Sequence, residues 1–104
     1  MMIVFTTSPN ITEAEVLAEK IVTAGLAACV QILPQMTSVY KWQGEVQTES
    51  EYLLLIKTLE ERFDELSAFI TANHRYAVPE IVAVKADRVS EPYLAWITEA
   101  VSSI

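Results

Sequence analysis

Few side chains in this sequence carry chemistry beyond packing. Cys29 is its one thiol and His74 its one imidazole. As a thiolate, Cys29 is a soft donor suited to copper, Cu(I) above all. Set in the apolar run Ala28-Cys29-Val30, it reads equally as a small buried hydrophobe. His74 stands in a polar segment ahead of Pro79, where a neutral ring nitrogen can take a divalent ion or simply face solvent. A structural zinc site takes four such ligands. One chain supplies two, so a metal site needs further copies of the chain or carboxylates, for which Glu51 and Glu80 are the candidates. A second group is Lys57, Tyr40, Trp42 and Tyr76, together with Glu80. Lys57 can pair with an anionic ligand and Trp42 can stack on a ring. The same residues can also serve packing, with Lys57 held by a nearby carboxylate.

Catalytic readings lack their settings. Cys29 and His74 have the groups of a thiolate–imidazole couple, but no nucleophile turn surrounds Cys29. Thr6-Thr7-Ser8-Pro9-Asn10, after the first apolar run, has neither Arg nor Gly to cradle a phosphate, and neither a Walker loop nor a dinucleotide fingerprint occurs. No enzyme is expected. Seven basic residues against fourteen acidic ones give a net charge of −7, and the basic ones are scattered. Nucleic acid, which needs clustered Lys and Arg, is therefore not an expected partner. The stretch between Lys20 and Lys41 is uncharged but carries Gln, Ser, Thr, Gly and Pro, so no membrane span is expected. The first residues lack a basic flank and a small-residue cleavage site. A lone Cys suits a reducing compartment, and a cytoplasmic location is the expectation.

The positioning elements follow from periodicity. Ile3-Val4-Phe5 is an apolar run fit for a covered strand. Thr12-Glu13-Ala14-Glu15 has the form of a capping box, and Ala14, Leu17, Ala18, Ile21 and Val22 recur on one helix face. Gly25 is placed to end that helix in a left-handed conformation, with Leu26 packing back. Residues 28–33 read as a strand halted at Pro34, and residues 39–42 as its continuation. Gln43-Gly44 predicts a tight turn, with the return arm running through Val46 and Tyr52 to Ile56. Thr58-Leu59-Glu60-Glu61 has the form of a second capping box, ahead of a helix lined by Leu59, Phe63, Leu66 and Ile70. Residues 81–84 predict a last buried strand, and Ser90-Glu91-Pro92 opens a terminal helix.

That order is β-α-β-β-α-β plus a helix, an α+β ferredoxin-like split βαβ sandwich over a single domain, residues 1–104. Arms of roughly 13 residues span about 43 Å. A body of this length is only about 33 Å across. The hairpin tip with Tyr40, Trp42 and Val46 should therefore project and lie on a neighbouring subunit.

Four stretches carry a further resemblance. They are residues 26–34 (LAACVQILP), 38–44 (SVYKWQG), 55–58 (LIKT) and 74–81 (HRYAVPEI), joined by Tyr93-Leu94-Ala95-Trp96 near the end. Together they resemble the CutA proteins of divalent-cation tolerance, over essentially the whole chain. The resemblance implies a ferredoxin-like protomer in a homotrimer with PII-like architecture. It implies a role in tolerance of divalent metals, copper among them. It also implies a cleft between subunits to which Lys57, Tyr40, Trp42, Tyr76 and Glu80 contribute. Where some members bind copper through a first-strand Cys and a His pair, this sequence has Thr6 and Asn73-His74, so only His74 matches. The first reading is thus a non-enzymatic trimer binding copper or another divalent ion through His74 and carboxylates, with Cys29 as a separate soft ligand. The alternatives are a PII-like sensor of a small anionic ligand and a purely structural interaction module.

Overall fold

Alternation along β1 (Met2–Ser8) sends Val4 and Thr6 to one face, fully buried, while Ile3 and Phe5 on the other face stay half-buried. That asymmetry runs through the whole sheet of the computed structural model, which describes residues 1–102. The last two residues of the expected domain lie outside the described residues. The elements follow as α1 (Ile11–Thr23), β2 (Cys29–Ile32), β3 (Met36–Trp42), β4 (Glu45–Thr58), α2 (Phe63–Asn73), β5 (Val82–Lys85) and α3 (Glu91–Ser102). The strands run β2-β4-β1-β5, all antiparallel, with β3 on the outer part of β4. β2 and β3 are two halves of one ferredoxin-like strand, parted around Pro34, whose missing N–H cannot join a ladder. The expected α+β order stands. No helix among the described residues is long and apolar enough to cross a membrane.

Register explains the core. Val4 pairs with Ile56 and Thr6 with Leu54, so one sheet face stacks these side chains under Ala14, Leu17, Ile21, Leu66 and Ile70 of α1 and α2. Burying one such aliphatic side chain is worth about 1.5–3 kcal/mol. Helix α1 ends in a Schellman turn: Leu26 N–H donates to the Ile21 carbonyl at 3.2 Å and Gly25 N–H to Val22 at 3.0 Å. Gly25 takes φ +74°, as expected from its position.

Three expectations need correction. Asn10, not Thr12, caps α1, its side-chain carbonyl accepting from Glu13 N–H at 2.8 Å while its amide donates to the Glu13 carboxylate. The earlier start also recovers the Ala14 N–H to Asn10 carbonyl bond at 3.1 Å. Thr58 caps nothing. It is the last residue of β4, fully buried, and its hydroxyl donates to the Leu26 carbonyl at 2.7 Å. A 3-10 turn, Glu60–Arg62, precedes α2 instead. Finally, β5 is an edge strand paired only with β1, and Val82 and Val84 are 52% and 46% exposed rather than buried.

For the site, the decisive element is β4. Its inner half, from Tyr52 onward, pairs with β1, while Glu45 to Glu51 pair only with β3 and leave the body as a two-stranded ribbon. The protein is accordingly elongated, 44 × 26 × 23 Å. Gln43 (φ 51°) and Gly44 (φ 82°) close the ribbon with the paired positive φ of a type I′ turn.

Candidate functional site

Side chains on a ribbon alternate between its faces, and here the alternation sorts chemistry. Ser38 pairs with Glu49 and Tyr40 with Gln47, so Ser38, Tyr40 and Trp42 share a face with Gln47, Glu49 and Glu51. Val39, Lys41 and Val46 occupy the opposite face. Tyr76, Val78 and Glu80, from the segment after α2, form a wall facing the first set. Thr7 of β1 completes a cleft of about 700 Å³.

Specific bonds hold that segment against the sheet. The His74 ring accepts the Tyr76 backbone N–H at Nδ1, 3.0 Å away, so its proton lies on Nε2, which donates to the Thr7 carbonyl at 2.6 Å. The Arg75 guanidinium meets the Glu13 carboxylate at 2.8 Å, tying the segment to α1. The Tyr76 ring then lies 4.8 Å from that of His74, and its hydroxyl donates to Glu51 Oε2 at 3.0 Å.

Glu51 is only 7% exposed. Burial in the cleft and the hydrogen bond to Glu51, with the charges of Glu51 and Glu49 beside it, push the Tyr76 phenol well above the usual tyrosine range. Desolvation and the Glu49 carboxylate, with Glu51 behind it, also raise Tyr40, although Tyr40 is 39% exposed. The Tyr76 hydroxyl therefore stays protonated and acts as a donor to Glu51. The site sets phenols and carboxylates side by side, with the Trp42 indole also lining it.

The structure brings together part of the expected set. Glu51, Glu80, Tyr40, Trp42 and Tyr76 all line the cleft. His74 lies behind Tyr76 with both nitrogens engaged, so it has no lone pair to offer a metal in this arrangement. Cys29 is on β2, in register with Lys57 of β4. Lys57 lies six positions along β4 from Glu51, about 20 Å along the strand. Lys57 does not join the cleft: its ammonium donates to the Tyr93 hydroxyl of α3 at 3.2 Å and lies 5.3 Å from that ring's centre. The terminal helix, which packs on β4, claims it first. Among the described residues no three or more His, Cys, Asp or Glu side chains gather closely enough to hold a metal ion. Glu49 is the cleft residue that sequence reasoning missed. Its signal was the Glu49-x-Glu51 spacing, which on a strand puts two carboxylates on one face.

Comparison with known proteins gives a consistent picture. Residues 2–100 match the family model described as CutA1 divalent ion tolerance protein. A chloroplastic CutA protein of Arabidopsis thaliana is 44% identical over 96 residues, which are 92% of this chain and 53% of that protein. The divalent-cation tolerance protein CutA of Thermus thermophilus is 43% identical over 97 residues, 93% of this chain and 94% of its own length. The chain thus spans about half the length of the plant and mammalian relatives it matches (53% and 56% for those of Arabidopsis thaliana and Homo sapiens). The crystal structure of CutA1 from Oryza sativa superposes with a TM-score of 0.95 at 41% identity, covering 99% of this chain and 94% of that one.

Proposed function

Because the chain belongs to the CutA1 divalent ion tolerance family, we propose that it works as a homotrimer that takes up divalent cations at the acidic cleft of its ribbon. The observation that carries this reading is the cleft's charge. Glu49, Glu51 and Glu80 line it, and no Lys or Arg is among its described lining residues. A cation is attracted there, whereas an anionic ligand has nothing to pair with, so the anion-sensor alternative has little support. The donors are carboxylate and phenol oxygens, which suit hard divalent ions and hold copper only loosely. Spread around the cleft rather than converged, they hold an ion that keeps much of its water. The reading is of a binding protein and not an enzyme, with Cys29 and His74 at separate sites.

The trimer is supported by what the single chain leaves uncovered. Trp42 and Val46 on the ribbon are 48% and 70% exposed, and Val82 and Val84 of the β5 edge are similarly open. Apolar surface of this extent beside unpaired strand edges is the usual sign of an interface.

Titration calorimetry with Mn²⁺ and Cu²⁺ tests the reading. Glu51→Gln and Glu80→Gln are expected to weaken both ions. Cys29→Ser, on β2 away from the cleft, is expected to leave them unchanged. Unaltered affinity in both carboxylate variants would remove the cleft from cation binding.

A further inference from the structure

We infer that the segment between α2 and β5 is a hinged strap, latched to Glu51 by the Tyr76 hydroxyl, whose release opens the ribbon cleft without unfolding the domain. Its backbone is the first reason. Helix α2 ends at Asn73, and His74 leaves it in an extended conformation, φ −101° and ψ 145°. The next ladder begins only at Val82 of β5. Among the described residues, no N–H or carbonyl of residues 75–80 takes part in a backbone–backbone hydrogen bond. A segment outside every ladder and helix opens at a fraction of the free energy of global unfolding.

What fastens the segment is three consecutive side chains, each tied to a different element. His74 donates from Nε2 to the Thr7 carbonyl of β1, Arg75 meets Glu13 of α1, and the Tyr76 hydroxyl donates to Glu51 of β4. These ties differ in strength. The Arg75 and Glu13 side chains are 61% and 36% exposed, so solvent screens that pair and it holds little. The Tyr76 bond ends on a carboxylate that is 7% exposed, and a hydrogen bond to an ionised acceptor is of the strong kind. Past Tyr76 the chain is held loosely, with Ala77 and Val78 exposed, until Ile81 packs against the core. The Tyr76–Glu51 bond is therefore the latch, and His74, whose ring also holds the Tyr76 N–H, marks the hinge.

The position of the strap gives its motion a consequence. Tyr76, Val78 and Glu80 are one wall of the cleft, and the ribbon is the other. While the latch is fastened, Glu51 Oε2 accepts the phenol. Once it is released, that oxygen is freed and the wall draws back from β4. Nothing beneath has to move, because Thr7 and Glu51 belong to β1 and β4, and those strands stay paired along the length of β1. The fastened strap is thus a self-made occupant of Glu51: whatever meets that carboxylate must first compete with the Tyr76 hydroxyl.

Amide hydrogen exchange, followed residue by residue by NMR on the whole chain as it assembles, tests the strap through the Tyr76 N–H, the one held by His74 Nδ1. In the wild type it is expected to exchange faster than the amides of Val4 and Leu54 in the central strands, and by an opening that low urea does not accelerate. Tyr76→Phe removes the latch hydroxyl and keeps the ring. It is expected to speed exchange at position 76 by about tenfold or more, the loss of one hydrogen bond to a charged acceptor. Glu51→Gln keeps an acceptor without the charge, so its increase is smaller. Tyr93→Phe, which removes a phenol from Lys57 instead, gives none. Unchanged protection at Val4 and Leu54 verifies that each variant is folded. Exchange at position 76 as slow and as urea-dependent as at Val4 overturns the proposal, whether the strap is rigid or a neighbouring subunit covers it. So does a rate indifferent to Tyr76→Phe, which would show a segment that frays without a latch.

Discussion

Val46 offers a direct test of assembly because it lies on the ribbon face opposite the cleft, so its replacement leaves the cleft alone. It is 70% exposed in the single chain. Fully burying a Val side chain is worth about 1.5–3 kcal/mol, so covering the exposed part contributes about 1–2 kcal/mol per subunit. A trimer repeats the contact three times, which makes about 3–6 kcal/mol, or a dissociation constant shifted by about two to four orders of magnitude. Val46→Asp removes this and adds a carboxylate that an apolar contact cannot solvate, so those figures are a lower bound. Within the ribbon itself the change is mild, since position 46 faces Lys41 across the strands. Sedimentation velocity over a dilution series should show wild-type trimer at micromolar concentration and dissociated Val46→Asp, with unchanged far-ultraviolet circular dichroism. A variant that sediments as the wild type at every dilution would show that the ribbon's outer face touches no neighbour. A monomeric wild type would refute the assembly altogether.

Tyr76 should appear in an alkaline titration followed at 295 nm as a late-titrating phenol among the four tyrosines, and Tyr76→Phe should delete that step. The sign of its stability contribution follows. Unfolded, the phenol loses its proton near about pH 10. Folded, Tyr76 keeps it to higher pH, so above that point the unfolded chain binds fewer protons and stability falls as pH rises, with no slope from this group below it. Urea unfolding should be shallower in its alkaline pH dependence for Tyr76→Phe. Thr58→Val should cost about 1–3 kcal/mol in the same assay, because an isosteric methyl leaves the Leu26 carbonyl without its 2.7 Å donor in the core. A loss under half a kcal/mol, roughly the surface-substitution scale, would mean that the carbonyl finds another partner.

What the sequence made legible was local. The Schellman stop at Gly25-Leu26, the turn at Gln43-Gly44 and the break at Pro34 rest on residues whose backbone preferences leave few options. The caps were harder because Asn10 and Thr12 are both good N-cap residues, and the choice fell to an extra backbone bond that only the earlier start makes. Thr58 misled for the opposite reason: strand alternation turned its hydroxyl into the core, where the Leu26 carbonyl was waiting. Burial of β5 was over-read because Val82 and Val84 look the same whether a second layer belongs to the chain or to a neighbour.

The site was legible in its members but not in their roles, and His74 shows why. Residue type offers an imidazole as a ligand, yet its lone pair and its proton are both committed to backbone groups, one of them on Thr7, 67 residues away in sequence. Those two bonds are what bring Tyr76 alongside β4, and Tyr76 is what holds Glu51 in the cleft. An imidazole used in this way shapes the cleft by geometry, without coordinating anything. Lys57 makes the converse case. Its strand position puts it on the same sheet face as Glu51, and its charge is the complement of that carboxylate, but the terminal helix brings Tyr93 to it first. Had Lys57 reached the cleft, the buried Glu51 would have been neutralised from within the chain. Because it does not, Glu51 keeps the Tyr76 hydroxyl as its partner within the chain, and the placement of the segment after α2 decides what the carboxylate meets.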